Sequence, residues 1–277
     1  MARTVGSMLQ KVRELAELSY DEAAARLGRE ADWLIRLETG ITVADPDEVA
    51  RILVEYGARE ARAADQIIDM ARRAANPPPW IAGHTSRLTA AARDVILLEA
   101  EATLAQVHGC RLIPYLAMSE DYFRDIAPGV YPDTDADAEW DLISRRQAHR
   151  PAGVTRLLEV IIDESAFMLR LRHQEAMTSQ LRHLLTLDDS PHASVRVIPW
   201  EAPLWEGRTT NFDVLSFAGT DDRIGVGYSI LGYQLASGDI YDSHWVHIRD
   251  VALDRAGSRA LLERRIAEPG GGFPFPG

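Results

Sequence analysis

Acidic and aromatic side chains follow two predicted strands in the second half of the chain. The runs LLEVII and SVRVI are rich in branched apolar residues, as buried strands are. Asp163 and Glu164 follow the first run, and Trp200 and Glu201 follow the second. Because ligands of open α/β sheets bind at the carboxyl ends of strands, these residues predict a small-molecule site. Further aromatic residues could line this site: Trp205, Tyr228, Tyr233 and Trp245.

A structural role for the same residues is the alternative. Aromatic residues in a modest sheet usually belong to its core, and Glu164 could cap a following helix. The motifs of common enzymes do not occur in the sequence: it has no phosphate loop, no G-x-S-x-G and no H-E-x-x-H. The sequence therefore names no catalytic residue and leaves an enzymatic activity open, with the missing motifs weighing against it.

One pair of histidines has a spacing that could support metal or proton chemistry. His244 and His247 lie three residues apart in a predicted helix, with Asp242 and Asp250 nearby. A third ligand is not evident, and surface or capping roles are the alternative. The single cysteine, Cys110, cannot form an internal disulfide and belongs to no zinc-type spacing. We expect no metal and no cofactor.

Composition is that of an ordinary soluble protein. The 277 residues are 46% hydrophobic and 26% charged, and the net charge is −12. No run of eighteen or more apolar residues could span a bilayer, and the N-terminus has no signal-peptide core. We expect a cytoplasmic protein that does not enter the membrane.

The stretch 19–40 predicts two short helices joined by a tight turn. Ser19 and Glu22 have the spacing of a capping box, which predicts that the first helix starts at Tyr20. Gly28 ends that helix, because glycine tolerates the left-handed conformation of a helix C-terminus. A second helix with inward leucines follows and closes at Gly40. This order is the signature of a helix-turn-helix.

The flanking helices, one over 5–18 and one that starts at Pro46 with Asp45 as its cap, complete a small all-α domain at 1–58. Residues 4–58 resemble the helix-turn-helix domain of the XRE (Cro and phage-repressor-like) family. The resemblance is carried by the segments LSYDEAAARLG, RLETG and PDEVARILVEYG, the last ending at Gly57. It implies a DNA-binding transcriptional regulator, and the palindromic logic of such binding implies a homodimer.

The resemblance places Tyr20, Asp32 and Trp33 at the DNA, and two nearby basic residues, Arg29 and Arg36, could form a basic edge that contacts it. Asp32 would direct a carboxylate at a polyanion, and Trp33 cannot form the bidentate contacts that read a base. Residues 1–58 hold seven Lys and Arg against eleven Asp and Glu, a net charge of −4. Duplex DNA and a protein partner that contacts Trp33 and Ile35 therefore both stay open as targets of this domain.

A connecting helix and a proline-rich segment, 59–79, are predicted to separate this domain from a second one. We expect helices around a small mixed sheet in 80–268, which makes the protein α+β overall, and a flexible tail at 269–277. Strand, helices and strand in succession predict a parallel pair. The detailed expectations are a long helix over 89–108, an exposed loop over 128–137, a helix over 165–171, and a hairpin of strands 211–217 and 224–230.

Residues 94–267 are similar to the C-terminal domain of actinobacterial helix-turn-helix regulators, a domain often described as antitoxin-like. The similarity is carried by Arg146-Gln147, IDE at 162–164, QLRHLL at 180–185, VRVIP at 195–199 and Ser258-Arg259. It implies a regulator whose second domain senses a ligand or binds a small cognate protein. Two alternatives stay open: a scaffold that has lost DNA binding and serves as a small-molecule-binding protein or enzyme, and an antitoxin-like protein-binding module.

Overall fold

The computed structural model describes residues 2–39, 42, 45–58, 61–76, 78–130, 132, 134–149, 156–203, 206–218, 223–229 and 232–268. The chain forms two compact units, Met1–Leu98 and Glu99–Gly277, here called the first and the second unit. Four predictions concern positions outside the described residues: Gly40 as a helix end, the hairpin turn at 219–222, Trp205, and the tail at 269–277.

The first unit is all-α within the described residues. Its helices are α1 (Ala2–Leu15), α2 (Tyr20–Leu27), α3 (Ala31–Glu38), α4 (Pro46–Glu55), α5 (Ala61–Ala75) and α6 (Pro79–Ala82). A single 3₁₀ turn follows at Thr85–Arg87, and α7 (Ala90–Glu101) runs from the first unit into the second.

Local capping signals set the ends of these helices, as predicted. The Ser19 hydroxyl accepts the Glu22 N–H at 3.3 Å, and the Glu22 carboxylate accepts the Ser19 N–H at 2.9 Å, so the capping box is confirmed. Gly28 has a φ of 64°, which is the left-handed conformation. Asp45 caps α4, with Pro46 in its first turn.

The core of the first unit draws α1, α2, α3 and α4 together. Leu9, Leu34 and Ile52 are fully buried in it. A Cβ added at Gly6 would lie 2.4 Å from the carbonyl oxygen of Glu38. Only glycine at this position therefore allows α1 to pack so closely on the end of α3.

The second unit is built on one six-stranded mixed sheet, with the order β3-β2-β1-β4-β5-β6. The strands are β1 (Leu104–Gly109), β2 (Leu157–Asp163), β3 (Ala193–Ile198), β4 (Phe212–Ser216), β5 (Arg223–Ser229) and β6 (Gly232–Ser237). β1, β2 and β3 are parallel, whereas β4, β5 and β6 continue the sheet in antiparallel pairs. The predicted parallel pair, the hairpin strands and the α+β class are confirmed.

Five helices surround this sheet within the described part of the second unit. They are α8 (Glu120–Val130), α9 (Ala136–Ala148), α10 (Gln174–Asp188), α11 (Asp239–Val251) and α12 (Arg255–Ala267). α10 and α12 pack against β3, and α11 packs on one face of the antiparallel part. Short 3₁₀ turns lie at Tyr115–Ala117, Glu164–Met168 and Glu206–Thr209.

Three sequence predictions about these elements were wrong. The helix expected over 89–108 ends at Glu101, because the following residues form β1 between β2 and β4. The loop expected over 128–137 is in part helical, since α8 continues through Pro128 to Val130. The helix expected over 165–171 is a 3₁₀ turn, Glu164–Met168, in which the Asp163 side chain accepts the Ser165 N–H.

Candidate functional site

The outward side of α3 is the candidate DNA-contacting surface of the first unit. Leu34, Leu37 and Glu38 lie inward and are buried. The helical period therefore turns a row of four other side chains outward, and all four are exposed: Asp32, Ile35, Arg36 and Thr39. This row carries one acid, one base and one apolar side chain, so it has no net charge.

Arg29 and Trp33 form a second part of this surface. The Arg29 guanidinium carbon lies 4.9 Å from the centre of the Trp33 ring, and Arg29 Nη2 also contacts Glu48 Oε1 at 2.6 Å. Trp33 is half-buried and packs against the core, unlike the fully exposed side chain that a protein-docking role would favour. Ile35 is 38% exposed. Arg29 is thus held by two internal contacts, whereas Trp33 is largely a support for it.

A buried ion pair fixes the position of α3. Arg13 donates from Nε to Glu38 at 3.0 Å and from Nη2 at 3.0 Å, and its Nη1 donates to the Leu18 carbonyl at 2.7 Å. The Tyr20 ring lies against this guanidinium, with 3.9 Å between the ring centre and Arg13 Cζ. Burial and the Glu38 carboxylate raise the pKa of Tyr20, so its hydroxyl stays protonated and able to donate.

The carboxyl ends of β2 and β3 carry the predicted acidic residues, and both carboxylates have internal partners. Asp163 accepts from Arg208 Nε at 2.6 Å and from the Ser165 N–H at 3.0 Å. Glu164 accepts from the Trp200 N–H at 2.8 Å and from Arg265 at 2.6 Å. Both carboxylates are buried. In this arrangement they tie the segment after β3, and α12, to the edge of the sheet.

A second group of ionisable side chains lies on one face of the sheet. Asp213 of β4 pairs with Val226 of β5 and Val107 of β1, so that alternation places Asp213 and Tyr228 on the same face. The Tyr228 hydroxyl donates to the Asp213 carboxylate. Tyr233, opposite Tyr228 on β6, packs its ring 5.2 Å from that of Tyr228.

A buried ion pair belongs to the same group. Arg146 of α9 donates to Glu99 of α7 at 2.9 Å and 2.7 Å, and each side chain is only 2% exposed. The Arg146 guanidinium also lies 4.8 Å from the Tyr115 ring centre. Burial and the charge of Glu99 raise the pKa of Asp213 to about 8, so this carboxyl holds a proton at neutral pH. We call Glu99, Arg146 and Asp213, together with the half-buried Tyr228, the buried cluster.

Comparisons with known protein families agree with this two-part architecture. A helix-turn-helix domain model matches residues 5–66. A model described as a domain of unknown function (DUF5753) matches residues 92–264, more than half of the chain. The chain belongs to the DUF5753 family. No curated protein and no solved structure matches it. The helix-turn-helix prediction is thus confirmed, and the DUF5753 domain covers most of the second unit.

The DUF5753 domain divides the eight predicted ligand residues among separate places. Asp163, Glu164 and Trp200 lie together at the ends of β2 and β3, with Glu201 exposed beside them. Tyr228 and Tyr233 belong to the face that carries the buried cluster. Trp245 lies on the opposite face, where it packs against Phe212 in the core beneath α11. Trp205 is outside the described residues.

Sequence reasoning missed Glu99 and Asp213 as members of a site. The available signal was the type of residue: each is an acid within an otherwise apolar run, ILLEA and NFDVL.

Among the described residues, no three His, Cys, Asp or Glu side chains are grouped so that they could hold a metal ion. Burial raises the pKa of Cys110 to about 11, so its thiol is a poor nucleophile. No helix in the described part of the chain is long and apolar enough to cross a membrane.

The protonated Asp213 predicts an unusual pH dependence of stability in the DUF5753 domain. Its pKa is raised from 3.8 to about 8, so the folded state holds a proton that the unfolded state releases between these values. Stability should therefore fall as pH rises from about 4 to about 8, by at most about 1.4 kcal/mol per pH unit. Asp213→Asn should flatten this slope, and Asp137→Asn at an exposed position should not. Urea unfolding between pH 5 and pH 9 measures it, and equal slopes in the wild type and Asp213→Asn would contradict the assignment.

Proposed function

We propose that the protein is a DNA-binding transcriptional regulator of the XRE type that binds duplex DNA as a homodimer. The observation that carries the proposal is the outward row of α3 on a capped helix-turn-helix. In such domains the second helix of the motif enters the major groove, and its exposed side chains contact the bases. The buried pair Arg13–Glu38 supports the proposal because it holds α3 in a fixed orientation.

Each predicted DNA-contact residue has a role that its surroundings permit. Arg36 is exposed at the middle of the outward row and is suited to a guanine or a phosphate. Asp32 can accept a hydrogen bond from a cytosine amino group. The Tyr20 hydroxyl is hydrogen-bonded to the Glu38 carboxylate and must exchange that contact for a phosphate contact. Arg29, stacked on Trp33, must exchange its Glu48 contact for a phosphate contact.

The second unit is proposed to sense a small-molecule ligand or to bind a small cognate protein. The polar residues at the ends of β2 and β3 support a ligand, since this is where α/β sheets bind them. A binding event that breaks the Asp163–Arg208 contact would remove one of the contacts that tie the segment after β3 to the sheet. We assign no catalytic residue, metal or cofactor to this unit.

A protein partner for the first unit is the second candidate. The outward row of α3 has no net charge, Ile35 is 38% exposed, and residues 1–58 carry a net charge of −4. These features suit an uncharged protein surface better than a phosphate backbone. Loss of DNA binding together with retention of a bound protein partner would favour this candidate.

Substitution of the two arginines tests the DNA-binding proposal. Arg36→Ala should weaken binding to the operator about 5- to 150-fold, the usual cost of about 1–3 kcal/mol for a lost base contact. Arg29→Ala should weaken operator binding less than Arg36→Ala does. Because Arg29 contacts a phosphate, its loss should also reduce the slope of log affinity against log salt concentration by about one. Fluorescence anisotropy with a labelled operator duplex measures both effects.

Arg72→Ala is the matched control. Arg72 is an exposed arginine of α5 in the same unit, paired with Asp69, so its loss changes net charge equally without touching α3. Operator binding should be unchanged in this variant. If Arg36→Ala and Arg72→Ala bind equally well, α3 is not the contacting helix.

A further inference from the structure

The two edge strands of the sheet in the second unit, β3 and β6, differ in the cover that other segments give to their outer backbone groups. At the β3 edge, three of the backbone groups that face away from β2 have partners in other elements. The Val195 N–H donates to Asp188 at 3.0 Å, and the Val197 N–H donates to the Ser258 hydroxyl at 3.0 Å. The Val197 carbonyl accepts the Leu253 N–H at 2.9 Å. This edge is therefore closed to another strand.

The β6 edge has no such cover in the part of the chain that the structure describes. β5 is the single described strand that pairs with β6. The Gly238 N–H donates to the Arg223 carbonyl at 2.9 Å, which fixes the alternation of the antiparallel ladder. Gln234 and Ala236 therefore bond to β5, and the N–H and C=O of Leu235 point away from it.

The residue types at this edge suit a strand that is identical to β6. The strand GYQLAS contains no charge, no lysine and no proline, the usual means by which proteins block an exposed edge. Because the whole chain carries a net charge of −12, an uncharged edge is where two copies meet with least repulsion.

We infer that β6 pairs antiparallel with β6 of a second copy of this chain, joining two sheets into one across a two-fold axis. In this register Leu235 lies at the axis, where it exchanges both backbone hydrogen bonds with Leu235 of the partner subunit. The two leucine side chains then face each other on the sheet face that also carries Tyr233. Gln234 lies opposite Ala236 of the partner subunit, so the pairing brings no charges together.

This interface does not depend on DNA binding, because it uses residues of the second unit alone. Its test contains no DNA, so that failure of the interface and failure of the proposed regulator function give different results. If both hold, the β6 pairing supplies the two-fold symmetry that a palindromic operator requires.

Matched lysine substitutions in the full chain test the interface. The wild type should be a dimer in sedimentation equilibrium at micromolar concentration. Leu235→Lys places two like charges directly opposite each other and should raise the dimer dissociation constant at least tenfold. Gln234→Lys adds the same charge to the same strand, but opposite an alanine, and should leave the constant within about twofold. Circular dichroism melting establishes that both variants are folded.

A disulfide between subunits tests the register and is unaffected by any loss of stability in the lysine variant. Leu235→Cys should form a disulfide-linked dimer under mild oxidation, because hydrogen-bonded partners lie about 5.5 Å apart between Cα atoms. Gln234→Cys should form much less disulfide-linked dimer, since residue 234 lies opposite residue 236 of the second copy. The native Cys110 is buried. A monomeric wild type overturns the inference, and so does a dimer in which Leu235→Cys links no faster than Gln234→Cys.

Discussion

Replacing Arg146 with methionine is expected to lower the free energy of unfolding of the second unit by about 3–5 kcal/mol. Arg146 and Glu99 are each 2% exposed and share two hydrogen bonds of 2.9 Å and 2.7 Å. Without the guanidinium, the Glu99 carboxylate is left buried without its cation, near the protonated Asp213. Chemical denaturation followed by circular dichroism measures the loss.

Two further variants separate the ion pair from simple packing. The double variant Glu99→Met with Arg146→Met removes both charges and should recover much of the loss, because no buried charge is left unpaired. Arg145→Met changes the neighbouring residue, which pairs with Asp141 at an exposed position, and should leave the free energy of unfolding nearly unchanged. A double variant that is less stable than Arg146→Met would show that the charges themselves stabilise the unit.

The second large effect is expected in the first unit. Glu38→Leu should lower its free energy of unfolding by about 3–5 kcal/mol, because the substitution leaves the Arg13 guanidinium buried without its carboxylate. The Glu38 side chain is fully buried, and that of Arg13 is 6% exposed. The hydroxyl of Tyr56 also loses the Glu38 oxygen 3.4 Å away. In thermal unfolding of the full chain, this variant should show a transition at a lower temperature than the wild type does.

Glu14→Gln serves as the control for this variant. Glu14 lies next to Arg13 in sequence, but its side chain is 55% exposed and 4.0 Å from the guanidinium. Its substitution should shift the transition little, as is usual for an exposed ion pair. Equal shifts for Glu38→Leu and Glu14→Gln would mean that the buried pair does not hold α3 against α1.

The helices of the first unit were predictable because their signals are local. Ser19, Gly28 and Asp45 act on backbone groups within a few residues of themselves, and the structure places a cap at each. The predicted first helix, 5–18, is displaced to Ala2–Leu15. Glu17, just after this helix, has a φ of 57°. This left-handed conformation is usual for glycine or asparagine, so a glutamate at this position did not indicate it.

The sheet of the second unit was predictable only in part. β2, β3, β4 and β5 have the branched or alternating residues of strands. β1 continues the apolar spacing of α7, so that its sequence fits a longer helix equally well. Its strand conformation comes from pairing with β2 and β4, which are distant in sequence. β6 contains few branched residues and was not predicted.

The partners of the candidate site residues could not be read from local patterns. Asp163 and Glu164 were placed correctly at the end of a strand, but their partners Arg208 and Arg265 come from later segments. A pattern that shows an acid at a strand end cannot distinguish an open ligand site from one tied by an arginine. The same limit applies to Glu99 and Asp213, which lie close together although they are far apart in the sequence.

Binding of the full chain to the DNA upstream of its own coding sequence is the most direct test of the regulator account. The measurement compares this fragment with a scrambled duplex of equal length and composition over a range of salt concentrations. A regulator of this type should bind the upstream fragment at least about 1,000-fold more tightly than the scrambled one, and its affinity should fall as salt rises. Equal affinity for both duplexes, even at low salt, would contradict it.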